Sequence, residues 1–502
     1  MEKDPELKLE YNKFMTEYEN LGHMKAVSMH DSYEKCVNYI PHHGIWQNAD
    51  DRKKLRVVFN ASKSTTSGYS LNDLLYSGKK LQNDMMSILI RWRRHRLAFC
   101  TDIKMMFRQI RIDDQDADYQ RIVWRRPGET VVTHFKLLTV TYGTKCAPFL
   151  AGRVMRDLAL KGIDQYPQAS SIVLKDAYVD DLFSGGDDIQ SVIELRNELI
   201  ALLKNGNLPL RKWAANHPKI LEDLSDEERL RPKWINFQTD GPISTLGVAW
   251  DAASDEFRFQ APSCEIIKNP TKRHVLSKIA QLFDPVGWLA PVVITAKIFM
   301  RTLWQRKLQW DDKLEGDLLE NWNNFLRNLP EVSQIRLPRW LGTSITSTVE
   351  LHGFGDASKN AYAAVIYIRI KNRETFQTCL LTSKTRVAPV KTRSTPQLEL
   401  CAAVLVNQLL NRIMEDLELK NIPIYLWSDN TTVLNWIQDP DPERLPVFVA
   451  NRVSEIQRTS SPSSWNYVNT SYNPADIASR GMSAKLLAKN DLWWHGPNWL
   501  QR

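Results

Sequence analysis

Ala177-Tyr178-Val179-Asp180-Asp181-Leu182-Phe183 places two adjacent aspartates inside an apolar run. The pattern predicts a strand, a turn that carries the acids and a second strand, with Gly185-Gly186 allowing the chain to return. Adjacent carboxylates repel each other and are costly to place among apolar side chains, so we expect a cation beside them. A divalent metal with hard oxygen ligands is the usual partner, although an acidic surface turn would give the same pattern.

A third carboxylate lies in another apolar stretch, Phe99-Cys100-Thr101-Asp102-Ile103. Three acids on two strands can hold two metal ions roughly 3.5–4 Å apart, which activate a 3′-hydroxyl and stabilise a leaving pyrophosphate. We therefore expect Asp102, Asp180 and Asp181 to be both catalytic and metal-binding residues. The expected cofactor is Mg²⁺ (or Mn²⁺), two ions per active site.

The longer motifs extend this interpretation. Tyr178-Val179-Asp180-Asp181 is the reverse transcriptase signature, and Thr101-Asp102-Ile103 resembles the first catalytic motif of those enzymes. Nearly the whole chain is similar to the Pol polyprotein of BEL/Pao-type LTR retrotransposons, with the motifs in the same order. The other stretches that carry the resemblance are residues 55–62 (LRVVFNAS), 70–75 (SLNDLL), 142–151 (YGTKCAPFLA) and 210–216 (LRKWAAN).

The resemblance implies an α+β fold: a right-hand polymerase with fingers, palm and thumb, then a helical connection and a mixed-sheet RNase H-like domain. The implied boundaries are 1–255 for reverse transcriptase fingers and palm, 256–342 for a helical thumb or connection, 343–482 for the RNase H-like domain and 483–502 for a C-terminal tail. The basic, aromatic character of 256–342 suits a region that holds a hybrid through its backbone, and a plain helical linker is the alternative.

Several residues are implied to contact the incoming nucleotide. Lys54 and Arg56 lie in a basic strand, where ammonium and guanidinium groups match phosphate charge, and a solvated basic strand is the alternative. Phe107 follows Asp102 at the offset of the aromatic that excludes a 2′-hydroxyl in similar enzymes, and a core aromatic is the alternative. Tyr142 stands where retroviral relatives have glutamine, which leaves its nucleotide contact open.

Two further basic stretches are implied to lie near nucleic acid or solvent. Lys212 and Trp213 resemble the primer grip of the family. The densest basic run, residues 91–96 (RWRRHR), could contact phosphates, but we favour a solvated helix end.

Four acids in the last third of the chain indicate a second catalytic site. Asp356 and Asp429 end predicted strands, Glu399 lies near the start of a helix that Thr395-Pro396 begins, and Asp476 lies at another helix start. Acids that arrive from strand ends and helix starts can converge on one metal pair. The order Asp, Glu, Asp, Asp resembles RNase H, so we expect all four to be catalytic and metal-binding, although any one alone would more often be a cap or a surface residue.

The same region carries the family name Pao retrotransposon peptidase, and residues 354–358 (FGDAS) faintly resemble an aspartic protease site. That mechanism needs two aspartates in matched Asp-Thr/Ser-Gly loops that share a proton. The chain contains no Asp-Thr-Gly and no Asp-Ser-Gly. We therefore expect the peptidase name without peptidase activity.

Composition narrows the class of partner. The net charge of +8 over 502 residues favours a polyanion as the binding partner.

The six cysteines form no Cys-x-x-Cys pair, which argues against a zinc site and a disulfide framework and suits a reducing compartment. The polar start does not resemble a signal peptide, and the longest apolar run, between Asp284 and Lys297, is too short to span a bilayer. We expect an intracellular protein, in a cytoplasmic virus-like particle or the nucleus, that is not secreted and has no membrane partner.

The function implied by the resemblance is RNA-directed DNA synthesis with RNase H-type cleavage of RNA in RNA–DNA hybrids. The partners would be an RNA or DNA template-primer, the hybrid and dNTPs, and the oligomeric state is unknown. Nothing resembles the family's protease or integrase, so the sequence is expected to be a processed-like fragment or a genomic relic. The alternative function is a catalytically idle, host-retained nucleic-acid-binding protein, and the intact acid sets count against it.

Overall fold

The computed structural model describes residues 4–28, 36–49, 52–230, 234–236, 248–261, 264–344, 346–391 and 393–502. The chain divides into two compact units. The first unit is Met1–Asp84 with Leu97–Pro232, and the second is Met85–Arg96 with Lys233–Arg502. Both contain helices and several sheets, so the predicted α+β class is confirmed. Among the described residues, no helix has both the length and the apolarity needed to cross a bilayer.

In the described residues of the first unit, the strands form three separate groups. The strands are β1 (Met24–Val27), β2 (His42–Ala49), β3 (Arg52–Phe59), β4 (Leu97–Ile103), β5 (Arg121–Trp124), β6 (Thr133–Leu137), β7 (Ala177–Tyr178), β8 (Asp181–Gly186) and β9 (Leu210–Ala215). An antiparallel sheet has the order β7-β8-β4-β9, a second has the order β1-β6-β5, and β2 and β3 form a hairpin. The α-helices are Pro5–Asn20, Leu71–Leu74, Met106–Gln109, Ala147–Gly162, Pro167–Lys175 and Ile189–Asn205.

Helix Ile189–Asn205 shows how the sequence forms the core of this unit. Asp188 precedes the helix, and its side chain accepts a hydrogen bond from the Ser191 N–H, which satisfies one of the free donors at the helix start. One apolar face of the helix is buried in the same cluster as Phe99 of β4 and Leu182 of β8, and it consists of Val192, Leu195, Leu199 and Leu202. This packing holds β4 and β8, the two strands that carry the candidate polymerase acids.

The second unit is built on a larger mixed sheet. The strands of the second unit are β10 (Trp234–Asn236), β11 (Val248–Asp251), β12 (Glu256–Phe259), β13 (Arg336–Pro338), β14 (Thr348–Ala357), β15 (Ala361–Asn372), β16 (Thr375–Val387), β17 (Ile424–Ser428) and β18 (Trp465–Tyr467). The first four form a separate sheet with the order β10-β11-β12-β13. The order of the five-stranded sheet is β16-β15-β14-β17-β18, and β17 runs parallel to β14 and β18. The α-helices are Met85–Trp92, Lys272–Ala280, Ala290–Gln305, Gly316–Asn328, Thr395–Asp416, Thr431–Gln438, Val447–Thr459, Pro474–Arg480, Ala484–Leu487 and Asp491–His495.

Helix Thr395–Asp416 lies unusually close to β14, and two glycines make this possible. A Cβ atom on Gly353 would lie 2.7 Å from Val406 Cγ1, and one on Gly355 would lie 3.1 Å from Val406 Cγ2. An apolar stripe of the helix is buried and consists of Leu398, Ala402, Leu405, Leu409 and Ile413. The close approach brings the first turns of the helix, with Glu399, against the end of β14.

The prediction that residues 91–96 are a solvated helix end is wrong for Arg91 and Arg93, whereas Arg94 and Arg96 are exposed. Arg93 is 1% exposed, and its guanidinium donates to the carbonyls of Arg339 at 3.1 Å and Leu380 at 2.7 Å. Arg91 forms an ion pair with Asp416 at 3.3 Å. Burying a guanidinium is tolerated when its donors are satisfied. The run therefore connects β13, β16 and helix Thr395–Asp416 within the second unit.

The chain end is folded against the mixed sheet. The Trp493 side chain is fully buried, and its indole N–H donates to the Trp288 carbonyl at 2.9 Å. The Tyr367 hydroxyl of β15 donates to the Trp493 carbonyl at 2.7 Å. The segment expected to be a tail, together with the loop before helix Ala290–Gln305, thus completes the core of the second unit.

Candidate active sites

Three carboxylates lie close together at the ends of two inner strands of the mixed sheet in the second unit. Asp356 lies near the end of β14, Asp429 directly follows β17, and Glu399 lies near the start of helix Thr395–Asp416. The parallel strands pair Gly355 with Ser428, so the acids that follow these residues come from adjacent strand ends. One oxygen from each of the three carboxylates lies within 4.8 Å of the others. Sequence-distant acids are therefore brought together by strand pairing and one helix.

The electrostatics of this triad are unfavourable without a cation. Burial, and then the charges of the neighbouring carboxylates, raise the pKa of Glu399 to about 9. The same two effects raise the pKa of Asp356 to about 7, although a hydrogen bond from the Ser479 hydroxyl acts in the opposite direction. Among the described residues, no group donates a hydrogen bond to the buried Glu399 Oε2 atom. An orphaned buried oxygen and three mutually repelling carboxylates fit a hard divalent cation.

The fourth predicted acid lies beside this triad. Asp476 lies in the first turn of the short helix Pro474–Arg480, and its Oδ1 atom accepts a hydrogen bond from Arg480 Nε at 2.5 Å. Its charge contributes to the raised pKa values of Asp356 and Glu399, but in the part of the chain that is described it is not in the close group of three. The structure thus brings together three of the four expected acids and places the fourth close to them.

Three supporting side chains at this site were not anticipated from the sequence. Ser479 donates a hydrogen bond to Asp356, Arg480 pairs with Asp476, and the Thr470 hydroxyl donates to Asp429 Oδ2 at 2.7 Å. Ser479 and Arg480 lie three and four residues after Asp476, on one side of the same short helix. That helical spacing was the available signal, whereas nothing in the sequence relates Thr470 to Asp429.

The candidate polymerase acids lie together in the antiparallel sheet of the first unit. Asp102 on β4 is directly opposite Asp181 on β8. Asp180 lies in the turn before β8, and its carbonyl accepts a hydrogen bond from the Ile103 N–H at 2.8 Å. Val179 adopts a left-handed backbone conformation, φ 54°, at this turn. The sequence motif therefore folds as the predicted strand, turn and strand.

Positive charge already lies against Asp102. Arg211 Nε donates to Asp102 Oδ1 at 2.8 Å, and Lys212 Nζ donates to Oδ2 at 2.7 Å. In the described ranges, the three polymerase acids do not form a close ligand group like the one in the second unit. Both oxygens of Asp102 are therefore engaged by cationic side chains, and the carboxylate becomes available as a ligand of a divalent ion only when these contacts are exchanged.

The expected nucleotide-contacting residues occupy different environments. Lys54 is exposed and Arg56 half-buried on β3, and Phe107 is half-buried in the helix that follows β4. The Tyr142 hydroxyl donates to the Val57 carbonyl at 2.9 Å, and burial raises the pKa of this phenol. Tyr142 therefore supports the strand that carries Lys54 and Arg56.

The two residues expected to form a primer grip differ sharply. The Lys212 side chain is about half exposed, whereas Trp213 is 1% exposed and its ring lies 5.6 Å from that of Phe99. Trp213 is a core residue of the sheet, so its side chain is not available to a primer. Lys212 and Trp213 are neighbours in the middle of β9, and the sequence alone does not show that one is exposed and the other buried.

A comparison with known protein families gives a match to part of the second unit, which contains the three close carboxylates. Residues 271–430 match the family model described as the Pao retrotransposon-like RNaseH-like domain, and the segment contains Asp356, Glu399 and Asp429. The match confirms the resemblance to Pao-type retrotransposons, and its description names an RNaseH-like domain. No curated protein matches the chain.

Two solved structures are similar in fold to the chain. The foamy viral protease-reverse transcriptase dRH in complex with ds DNA has a TM-score of 0.57 and 13% identity, over 93% of this chain and 70% of that chain. The foamy viral protease-reverse transcriptase in complex with an RNA/DNA hybrid has a TM-score of 0.54 and 13% identity, over 93% of this chain and 54% of that chain. The chain thus spans about half the length of the second structure. At this identity the likeness concerns the fold alone.

Proposed function

We propose that this chain is the reverse transcriptase and RNase H part of a retroelement Pol, an RNA-directed DNA polymerase that also cleaves RNA in RNA–DNA hybrids. The observation that carries the proposal is the group of three carboxylates at the ends of β14 and β17, with its orphaned buried oxygen. The matched RNaseH-like family and the reverse transcriptase-like fold support it. The proposal keeps the subdomain boundaries implied by the sequence and an intracellular site of action.

In hybrid cleavage, Asp356, Glu399 and Asp429 would hold the divalent ions, and Asp476 would complete the set. Bound Mg²⁺ or Mn²⁺ supplies a lowered pKa for the attacking water and positive charge for the leaving 3′-oxygen. The protein's own contribution is orientation. Hydrogen bonds from Ser479 and Thr470 fix the carboxylates of Asp356 and Asp429.

In DNA synthesis, Asp102, Asp180 and Asp181 would hold the ions at the end of the hairpin. Lys54 and Arg56 would bind the triphosphate, because both lie on β3 and their positive charges complement the negative charge of phosphate oxygens. Phe107, in the helix directly after β4, would exclude the 2′-hydroxyl of a ribonucleotide by steric contact. Lys212 would contact the primer backbone.

Both activities can be measured on one purified chain. Asp181→Asn should abolish extension of a primed RNA template in the presence of Mg²⁺, because one metal-binding carboxylate becomes neutral. Cleavage of RNA in a hybrid by the same preparation should continue and shows that the protein is folded. Undiminished extension by Asp181→Asn would contradict the polymerase assignment, and absence of both activities from the unsubstituted chain would favour the idle nucleic-acid-binding alternative.

A further inference from the structure

Two consecutive residues of β9 bind the same carboxylate. Arg211 and Lys212, which we call the cation clamp, contact the two oxygens of Asp102 at 2.8 and 2.7 Å. Successive side chains of a regular strand point to opposite faces of the sheet. A regular β9 could therefore direct only one of these cations toward Asp102, so the local backbone must be irregular.

A bulge in β9 supplies that irregularity. Cys100 pairs with Ala214 and Asp102 with Arg211, so two steps along β4 correspond to three steps along β9. The extra residue allows the strand to twist, and Lys212 has a left-handed backbone, φ 54°. Such a conformation is strained for a residue other than glycine and persists only where the surroundings impose it.

The surroundings of the bulge are well fixed. The Thr101 hydroxyl of β4 donates to the Arg211 carbonyl at 2.9 Å, and the Trp213 N–H donates to the Glu228 carbonyl at 2.9 Å. Trp213 is itself buried in the core. The backbone on both sides of Lys212 is therefore held in place while the lysine side chain remains about half exposed. A strained residue with fixed neighbours and a reachable charged end is typical of a functional position.

We propose that the cation clamp occupies Asp102 in the absence of nucleic acid, and that a primer phosphate takes over these cations and releases the carboxylate for metal binding. The inference rests on the proposed polymerase function and adds an order of events, with nucleic acid before metal. The Asp102 side chain is 10% exposed, whereas those of Arg211 and Lys212 are 34% and 49% exposed, so an arriving phosphate reaches the cations first.

The charges favour the exchange. Arg211 and Lys212 each donate one hydrogen bond to Asp102, and both side chains carry further N–H donors that can bind a phosphate group. Guanidinium and ammonium groups bind phosphate oxygens as well as they bind carboxylates. A divalent ion, in contrast, must compete with both cations for oxygens that already accept charge-assisted hydrogen bonds. Metal binding by the free protein should therefore be weak at this site.

Direct measurement of Mn²⁺ binding tests the inference without depending on activity. Free Mn²⁺ is followed by electron paramagnetic resonance on the full chain that carries Glu399→Gln and Asp429→Asn, which remove binding in the second unit. In this parent without nucleic acid, Lys212→Gln should raise Mn²⁺ affinity at least roughly fivefold, equivalent to about 1 kcal/mol for one partly exposed ion pair. Addition of a primer-template should raise the affinity of the parent and reduce the difference between the two proteins.

The control variants distinguish the loss of a positive charge at Lys212 from the loss of an equal charge elsewhere in the protein. Lys104→Gln removes an equal charge from the exposed residue directly after β4 and should leave Mn²⁺ affinity nearly unchanged. Lys212→Gly removes the cation but tolerates the left-handed backbone, so it repeats the test if Lys212→Gln folds poorly. Equal affinities for the Lys212→Gln and Lys104→Gln proteins, or an absence of binding in every variant, would overturn the cation clamp. If the Lys212→Gln protein binds Mn²⁺ just as tightly after Asp102→Asn is added, the proposed polymerase site itself is wrong.

Discussion

Replacing Glu399 with glutamine should stabilise the metal-free protein, although the residue is one of the proposed metal ligands. Burial and the adjacent carboxylates raise the pKa of Glu399 from its ordinary 4.5 to about 9. At pH 7 the carboxyl group is ionised in the unfolded chain, whereas the folded protein keeps it protonated. The difference between pH 7 and the ordinary pKa, at about 1.4 kcal/mol per pH unit, lowers the free energy of unfolding by an amount on the order of 3 kcal/mol.

Glutamine has nearly the same shape and carries no charge, so it removes this penalty. Carboxylate oxygens of Asp356 and Asp429 lie within 4.8 Å of a Glu399 oxygen and are nearby hydrogen-bond acceptors for the glutamine amide. Because the folded-state pKa is raised, the two proteins should be equally stable below pH 4.5, and the unsubstituted chain should lose stability relative to the variant as the pH rises toward 9. Addition of Mg²⁺ should reverse the order, because only the unsubstituted site retains all of its carboxylates.

Urea denaturation followed by tryptophan fluorescence, at several pH values with EDTA or Mg²⁺, measures the effect. Glu350→Gln is a matched control in the same unit. Burial tends to raise the pKa of Glu350, but its ion pair with Arg369 at 2.9 Å outweighs burial and lowers the pKa. Glu350→Gln should therefore destabilise the protein at pH 7. If Glu399→Gln is no more stable than the unsubstituted chain at pH 7 in EDTA, burial and the adjacent carboxylates do not raise the pKa of Glu399 as the structure indicates.

Three further predictions concern other parts of the molecule. Phe107→Val should increase incorporation of ribonucleotides relative to deoxyribonucleotides, and an unchanged preference in primer extension would show that Phe107 is only a core residue. Gly353→Ala should destabilise the protein by about 1–3 kcal/mol in urea denaturation, because the new Cβ atom would lie 2.7 Å from Val406 Cγ1, and Val406→Ala should restore part of the loss. Affinity for a primer-template should fall with salt so that log K is linear in log salt, and a flat dependence would contradict binding through backbone phosphates.

The sequence was sufficient for the features that depend on local pattern. The motif at Asp180 and Asp181 predicted a hairpin, and Thr395-Pro396 predicted the start of a helix, which the structure has at Thr395. The order of acids near Asp356 predicted one converging site, and the structure brings three of them together. These features follow from alternation, helical periodicity and the tendency of strand ends to carry ligands.

Other features depend on partners that are distant in the sequence, and these were missed. Arg93 resembles a solvated residue because its neighbours are basic, yet carbonyl groups from β13 and β16 satisfy it in the interior. Trp213 lies beside an exposed lysine but is part of the core. The left-handed backbone of Lys212 has no local signal such as glycine or asparagine, so the bulge and the contact with Asp102 become visible only when β4 and β9 are paired.

The most direct test of the central claim is the rate of RNA cleavage in an RNA–DNA hybrid by the Asp429→Asn protein. Asp429 supplies one oxygen of the close group at the ends of β14 and β17, so its neutralisation should remove Mg²⁺-dependent cleavage. Primer extension by the same preparation should continue, because the polymerase acids lie in the other compact unit. The account predicts loss of hybrid cleavage with extension retained. Hybrid cleavage that persists at the unsubstituted rate in Asp429→Asn would contradict it.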